Sequence, residues 1–588
     1  MNGARPSIRR SLFAVALCAF AYLYVFPYYA ALNNPNENVR FYMTAALVDD
    51  GTYAIDGPRA RWGWTNDAAC VDRGEDGALT PCETRRPAPG VERHYYSVKG
   101  PGTSLMGVPG YALYRWLHPG DDFDRTEALW TVRVTGSILP LLLFLFFFYR
   151  WLGEFTPSPL LRDSVFLVVG LGSVVWGYAY LFASHSTSAA AAMGSFMILD
   201  RARRGGSLGW WSAGLAGALA TATSALEYPC FFITAGLCLF SLFALRPRLR
   251  ILGFVLGALV PVLAVMHFQS HAFGNPLTPG HHFVENAAFR AGHAVGFYGA
   301  QTFHFMGALR LLFDERLGLF ATSPLLILGL PGVWLLLRRR DTRAGALCLF
   351  GASLLLYIFI CFMNIWHAGW SIGPRYLVAL IPFLAWASLV TLTALHRRRP
   401  LLASALALGG LAACMLSAGI PSAYYPHLPD EFDWPLTQLF SVLIAHDYAP
   451  TNAGGLLGVF GSLSMLPVAL LLLGALLWAG LQKTGSARPL PRLLAPALVA
   501  ALLLAPHVII PRMLSAESDP GARRMVAFVC EHWSPEGHDR ATRLRDHILA
   551  LGPASPASDR LRLSELYREE GRDRLADAAA RGVGTTRR

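Results

Sequence analysis

Charge is what this sequence has least of. Of its 588 residues 15% are charged, whereas 54% are hydrophobic and the mean hydropathy is +0.39. A soluble chain of this size carries more charge, so the balance excludes that class and marks a polytopic membrane protein. The G-x-x-x-x-G-K-S/T and G-x-G-x-x-G phosphate loops are absent, as is any zinc-type cysteine spacing. Their absence argues against an ATP-driven pump and against a nucleotide-binding enzyme. The formal net charge of +12 would suggest nucleic acid in a soluble chain. Here the basic residues fall in short loops and at the ends, so membrane topology explains them and a nucleic-acid partner is not implied.

Long hydrophobic runs are what the sequence has most of. About thirteen stretches approach the ~20 residues needed to cross a bilayer. They lie near 11–31, 129–149, 164–183, 186–200, 209–226, 228–245, 250–268, 317–337, 344–363, 374–395, 401–421, 456–481 and 490–511. Arg9 and Arg10 precede the first, and LDRARRGG, RPRLR, LRRRDTR and LHRRRP fall in alternate loops. The positive-inside rule makes that side cytoplasmic. The other side then receives loops 32–128, 269–316 and 422–455, the segment NIWHAGWSIGPR, and the C-terminal tail. The first stretch lacks a small-residue cleavage region and reads as a retained anchor. The Ala-, Arg- and Leu-rich composition suits a bacterial inner membrane.

The expected class is therefore all-α, with a transmembrane domain over 1–511 and a soluble helical tail over 512–588. Tail helices are predicted at 521–532, 538–551 and 558–580, solvated by alternating charge. Six of nine cysteines (Cys18, Cys230, Cys238, Cys348, Cys361, Cys414) lie in apolar stretches and read as packing residues. Cys70 and Cys82 share the first outer loop, where an oxidising compartment favours a disulfide. Cys530 has no assignment.

The chemistry concentrates in the outward loops. Residues 32–50 are predicted to form a helix lying on the membrane, with Phe41, Ala45, Leu47 and Val48 as its apolar face. Glu37 and Arg40 stand three apart on it, either as a surface ion pair or with Glu37 as a working carboxylate. In HYYSVKGPGTSLMGVPGYALY, Tyr95, Tyr96 and Lys99 precede a Gly-Pro-Gly turn and a second interfacial helix. Lys99 is the candidate to meet a lipid-linked phosphate, and the tyrosines read equally as an aromatic belt. His185 and Glu227 lie at outer span ends, where an ionisable group faces a cavity or plays a structural part. Arg375, beside Trp366, Trp370 and Tyr376, can fork onto a phosphate or snorkel to the interface. His271, His281, His282 and Glu285 lie close together, but His-His-x-x-Glu is not a helical metal spacing, so a divalent metal is only a weak cofactor candidate.

Taken in order, these segments resemble the GT-C superfamily of integral-membrane glycosyltransferases, especially bacterial aminoarabinose transferases of lipid A and protein O-mannosyltransferases. NENVRFYMTAALVDDGTYAID is similar to the acidic motif and interfacial helix after the first span, with Asn36-Glu37 at the acidic pair and Gly51 at the turn. YYSVKGPGTSLMGVPGYAL looks like the family's Tyr-x-x-Lys-x-Pro stretch, and the likeness covers roughly residues 10–395. Asn36 departs from the pattern by replacing an Asp. The resemblance implies inverting transfer of a sugar from a polyprenyl-phosphate donor to a lipid, glycan or protein acceptor at the outer face. It implies Glu37 as general base, Lys99 and Arg375 on the leaving phosphate, and His185 and Glu227 lining the cavity. Two other readings are a flippase or transporter for lipid-linked saccharides, and an inactive scaffold of the same fold. A transporter would show two related halves and polar residues in mid-span, and neither is visible here.

Overall fold

The computed structural model describes residues 5–28, 34–206, 208–445, 448–482 and 489–514. In the tail it describes 525–526, 528–529, 557–569, 576–577 and 579–580. Each of the thirteen apolar stretches carries helix. Among the described residues, six helices are individually long and apolar enough to cross a membrane: Arg125–Leu152, Arg250–Phe273, Arg343–Phe362, Arg375–His396, Pro400–Tyr424 and Leu494–Met513. The chain is a multi-pass, predominantly helical membrane protein. Leucines on the outer surfaces of these helices stay exposed, for instance Leu252, Leu256 and Leu263 on Arg250–Phe273, as suits a lipid-facing stripe.

The basic loops and the long loops each make contacts among themselves. On the basic side Arg5, Arg201 and Arg204 converge on Glu154, and Arg10 and Arg162 on Asp163. The long loops meet one another elsewhere. Val284 bridges Ala69, Gln301 N–H donates to Phe362 O, and Ile372 N–H donates to Pro426 O.

Helix α1 (Ile8–Tyr24) opens with Ser7, whose hydroxyl accepts the Arg10 N–H at 3.3 Å. Helix α2 (Pro35–Asp49) is capped by Asn34 and has Pro at its first position. The sequence predicts that α2 lies on the membrane with one apolar face. Instead all residues from Asn36 to Ala46 are buried. The cause is enclosure: α4 (Gly102–Leu117) covers one side, with Thr44 Oγ1 donating to Ser104 O and Ser104 Oγ to Arg40 O. Gly107 of α4 lets Phe182 and Val132 approach, since a Cβ there would lie 2.6 Å from the Phe182 ring.

The first loop also departs from the all-α expectation. After a short helix α3 (Asp56–Trp62), strands β1 (Ala68–Arg73), β2 (Leu79–Pro81) and β3 (Glu92–Ser97) form an antiparallel sheet in the order β2-β1-β3. The Cys70–Cys82 disulfide ties the central strand β1 to the residue after edge strand β2, and Arg93 forks onto Asp72 at 2.7 and 2.8 Å.

The third apolar stretch breaks. Its helix ends at Leu171, a single turn follows at Val174–Gly177, and residues 178–184 run irregularly. That segment is buried throughout. Irregular backbone at this depth is tolerated only where protein or a cavity surrounds it. In the tail, Ala557–Glu569 is helical within the predicted 558–580. The predicted helix 538–551, most of 521–532, and Cys530 lie outside the described residues.

Candidate active site

The sheet register places the first pair of site residues. Ala68 faces Ser97, and Val98 N–H donates to Asp67 O, so Asp67 sits one step from Lys99. Lys99 Nζ lies 3.2 Å from Asp67 Oδ2. The Gly-Pro-Gly turn then carries Lys99 against the end of another helix. A Cβ on Gly100 would stand 2.4 Å from Ala225 O, and one on Gly102 2.9 Å from it. Only glycine permits that approach, and Ala225 is two residues before Glu227.

Glu227 ends the Trp210–Leu226 helix and gathers three partners. Ser184 Oγ donates to Glu227 Oε2, His185 Nδ1 lies 3.3 Å from it, and Arg40 Nη2 lies 3.9 Å from it. Arg40 is 1% exposed and donates to Ser184 Oγ at 2.8 Å and to Asn36 O at 2.7 Å, leaving Nε without a partner. Tyr178 stands edge-on to His185, with ring centroids 4.8 Å apart. Arg375 completes the group: Asp67 feels the charges of Lys99, Arg375 and Arg40 together. Burial pushes the Asp67 carboxyl upward, but those cations outweigh it and hold Asp67 below the usual carboxylate range. The Asp67 side chain remains 24% exposed.

Three cations, Arg40, Lys99 and Arg375, thus share two carboxylates, Asp67 and Glu227. With histidine neutral, one positive charge is in surplus. His281 flanks the group, its ring tilted against that of His293 with centroids 4.7 Å apart. Burial first, then His293 and Lys99, push His281 well below the ordinary histidine value. This is a site built for an anion, with carboxylates beside it.

Of the sequence-predicted residues, the structure brings together Arg40, Lys99, His185, Glu227 and Arg375. It holds Glu37, Tyr96 and Glu285 apart. Glu37 does not pair with Arg40, because it faces the opposite way into a separate buried pair. Arg133 Nε and Nη2 each donate to it at 2.7 Å, and Phe182 N–H donates to Oε1 at 2.7 Å. Tyr96 packs on Phe273 in the core of the first loop. Glu285 is forked by Arg59 at 2.8 and 2.9 Å and bonded by Trp64, so it does not join His281 and His282. Among the described residues no group of three or more His, Cys, Asp or Glu is arranged to hold a metal.

Sequence reasoning missed Asp67, Arg133 and Ser184. Arg133 carried a signal, being an arginine inside an apolar stretch. Asp67 carried none, since its place depends on the sheet.

Fold and site together describe a multi-pass membrane protein in which Arg40, Lys99 and Arg375 gather around Asp67 and Glu227. No family model matches the sequence, and no curated protein matches it. The chain is similar to the crystal structure of ArnT from Cupriavidus metallidurans in the apo state. The identity is 15%, over 87% of this chain and 79% of that one, at a TM-score of 0.41.

Proposed function

We propose that the chain is a GT-C-like membrane glycosyltransferase. It moves a sugar from a polyprenyl-phosphate donor to an acceptor at the outer, periplasmic face of a bacterial inner membrane, with inversion. The observation that carries this reading is the surplus cation among Arg40, Lys99 and Arg375, set beside two carboxylates. Leaving-group departure puts negative charge on a phosphate, and pre-placed cations stabilise it. Arg375 and Lys99 are the phosphate ligands in this reading, with the unpartnered Nε of Arg40 a further donor. A cleft of about 360 Å3, lined by Phe26, Leu113, Leu117 and Trp130 together with Tyr114, His118, Thr126, Glu127 and Thr131, has a largely apolar wall that suits a lipid chain.

The general base moves from Glu37 to Asp67. A base needs a free lone pair within reach of the acceptor hydroxyl. Glu37 accepts from three donors at 2.7 Å and is 3% exposed. Glu227 is occupied by Ser184, His185 and Arg40. Asp67 has one ion-pair partner, Lys99, and the most accessible side chain of the three carboxylates. When a phosphate engages Lys99, Asp67 is released to take the acceptor proton. The sugar carbon then gains the acceptor oxygen as its bond to the polyprenyl phosphate breaks. The test is binding of a short isoprenyl phosphate to purified protein, expected to weaken in Lys99→Ala and Arg375→Ala. Equal affinity in both variants would refute the assignment.

A further inference from the structure

A second polar cluster borders the first on the loop side and differs from it in sign. Several of its charges are closed among themselves. Arg310 lies 2.8 Å from Asp314 and 3.2 Å from Asp433. Glu315 is taken by His507 at 3.1 Å and by the Leu436 N–H at 3.3 Å. What remains is Arg316, Asp430 and His367, whose Nδ1 accepts the Gly369 N–H at 3.2 Å, with Trp366 5.6 Å from the His367 ring and Trp370 three residues further on.

Arg316 is 4% exposed, yet its Nε and Nη1 have no hydrogen-bond partner. Buried donors are nearly always satisfied, so an unsatisfied pair calls for an explanation. Arg316 is tied to the tryptophan segment, because its carbonyl accepts the Gly373 N–H at 2.6 Å. His367 Nδ1 lies 4.0 Å from Asp430, whose side chain is 37% exposed. Between His367 and Trp370 the backbone takes two consecutive left-handed residues, Ala368 (φ 65°) and Gly369 (φ 68°). For alanine that conformation is strained, and such strain gathers at ligand sites. His367 also feels Arg375, so the cluster adjoins the phosphate ligands.

Charge decides what this cluster takes. Arg310 and Arg316 stand against Asp314, Asp430 and Asp433, a balance of one negative charge. A phosphate is disfavoured there. A buried donor, an exposed acceptor and two indoles, Trp366 with Arg310 over one face at 5.8 Å and Trp370 with His427 at 6.0 Å, suit instead a ring with hydroxyls on its edge and C–H groups on its faces. We propose that Arg316, Asp430, Trp366 and Trp370 form the acceptor subsite, and that the acceptor is an uncharged saccharide. This rests on the glycosyltransferase reading above.

The experiment uses the full-length protein in lipid nanodiscs, free of sugar-based detergent. Saturation-transfer NMR and calorimetry are run with maltose, lactose and chitobiose, and in parallel with inorganic phosphate and a threonine-containing peptide. The expected result is saturable binding of at least one disaccharide. Its Kd rises tenfold or more in Asp430→Asn and in Trp370→Ala and is unchanged in Lys99→Ala. Asp430→Asn is conservative and partly exposed, so it reports even if Trp370→Ala does not fold. Absence of saturable disaccharide binding overturns the proposal. So does equal binding by Asp430→Asn, or the finding that these substitutions weaken phosphate or the peptide instead. Citronellyl phosphate is titrated alongside. If it fails to bind while the disaccharide binds and Asp430→Asn loses it, the glycosyltransferase reading fails and the saccharide site stands.

Discussion

Glu37 and Arg133 form a closed, bidentate pair, with two N–O distances of 2.7 Å and both side chains nearly inaccessible. The pair joins α2 to the second apolar stretch and, through the Phe182 N–H, to the irregular segment 178–184. Arg40, one turn further along α2, grips Ser184 in the same segment. Glu37 therefore positions the segment that carries Ser184 and His185.

Removing one member leaves an unpaired buried charge, which costs about 3–5 kcal/mol. Glu37→Ala and Arg133→Ala are each expected to lower thermal stability sharply. The double variant Glu37→Ala with Arg133→Ala is expected to be less destabilised than the sum of the two single variants. A double-mutant cycle on thermal unfolding in detergent checks this, and strict additivity would contradict the pairing.

Lys99 and Arg375 act on the same anion in this account. A charged hydrogen bond contributes about 1.5–3 kcal/mol, so each alanine substitution should weaken isoprenyl phosphate binding roughly tenfold or more. Calorimetry at fixed ionic strength reads the effect. Phosphate affinity should also fall with added salt, since the surplus charge is partly screened.

His281 gives stability a pH dependence of known sign. Its folded pKa lies below the ordinary 6.5, for reasons of burial, then His293 and Lys99. The unfolded chain therefore binds more protons between the folded value and 6.5, and stability rises with pH across that window. Above it the contribution is fully present. Melting temperature followed from pH 4 to 8 should climb and then flatten, and His281→Asn should reduce the climb. Asp67 works in the other acid range: its folded pKa is depressed, so its contribution is lost only as pH falls below the usual carboxylate value.

The Cys70–Cys82 bridge closes a short loop across β1 and β2, with a sequence separation of 12. Closing a loop of about that length stabilises by roughly 3 kcal/mol on chain entropy. Cys82→Ser or reductant should lower the melting temperature and expose the first loop to protease earlier. Since β1 leads directly from Asp67, catalytic activity should fall in parallel.

Much of the fold was legible because apolar runs report helices directly. The ends of Arg250–Phe273 and Trp210–Leu226 fall within a few residues of the stretches read from hydropathy. The break at 172–184 was not legible, because its residues are as apolar as those of a continuous helix and only tertiary packing opens it. The sheet was hidden for a different reason: three strands of three to six residues in a polar loop give too short a pattern. Arg375, Glu227 and His185 were visible as ionisable residues at span ends, and Lys99 as a lysine before the Gly-Pro-Gly turn of the first outer loop. Asp67 was not, since nothing local marks it, and it reaches Lys99 only through the pairing of β1 with β3. The burial of Glu37 was not legible either, because its motif sets it near the surface while Arg133, far off in sequence, closes over it.

In the proposed mechanism Asp67, and not Glu37, takes the acceptor proton. Transfer from radiolabelled polyprenyl-phosphate sugars to membrane acceptors, measured on folded Asp67→Asn, tests it most directly. The account expects transfer to fall at least a hundredfold while isoprenyl phosphate binding persists. Transfer at the wild-type rate in Asp67→Asn would contradict it, as would a stably folded Glu37→Gln that binds the phosphate normally and transfers nothing.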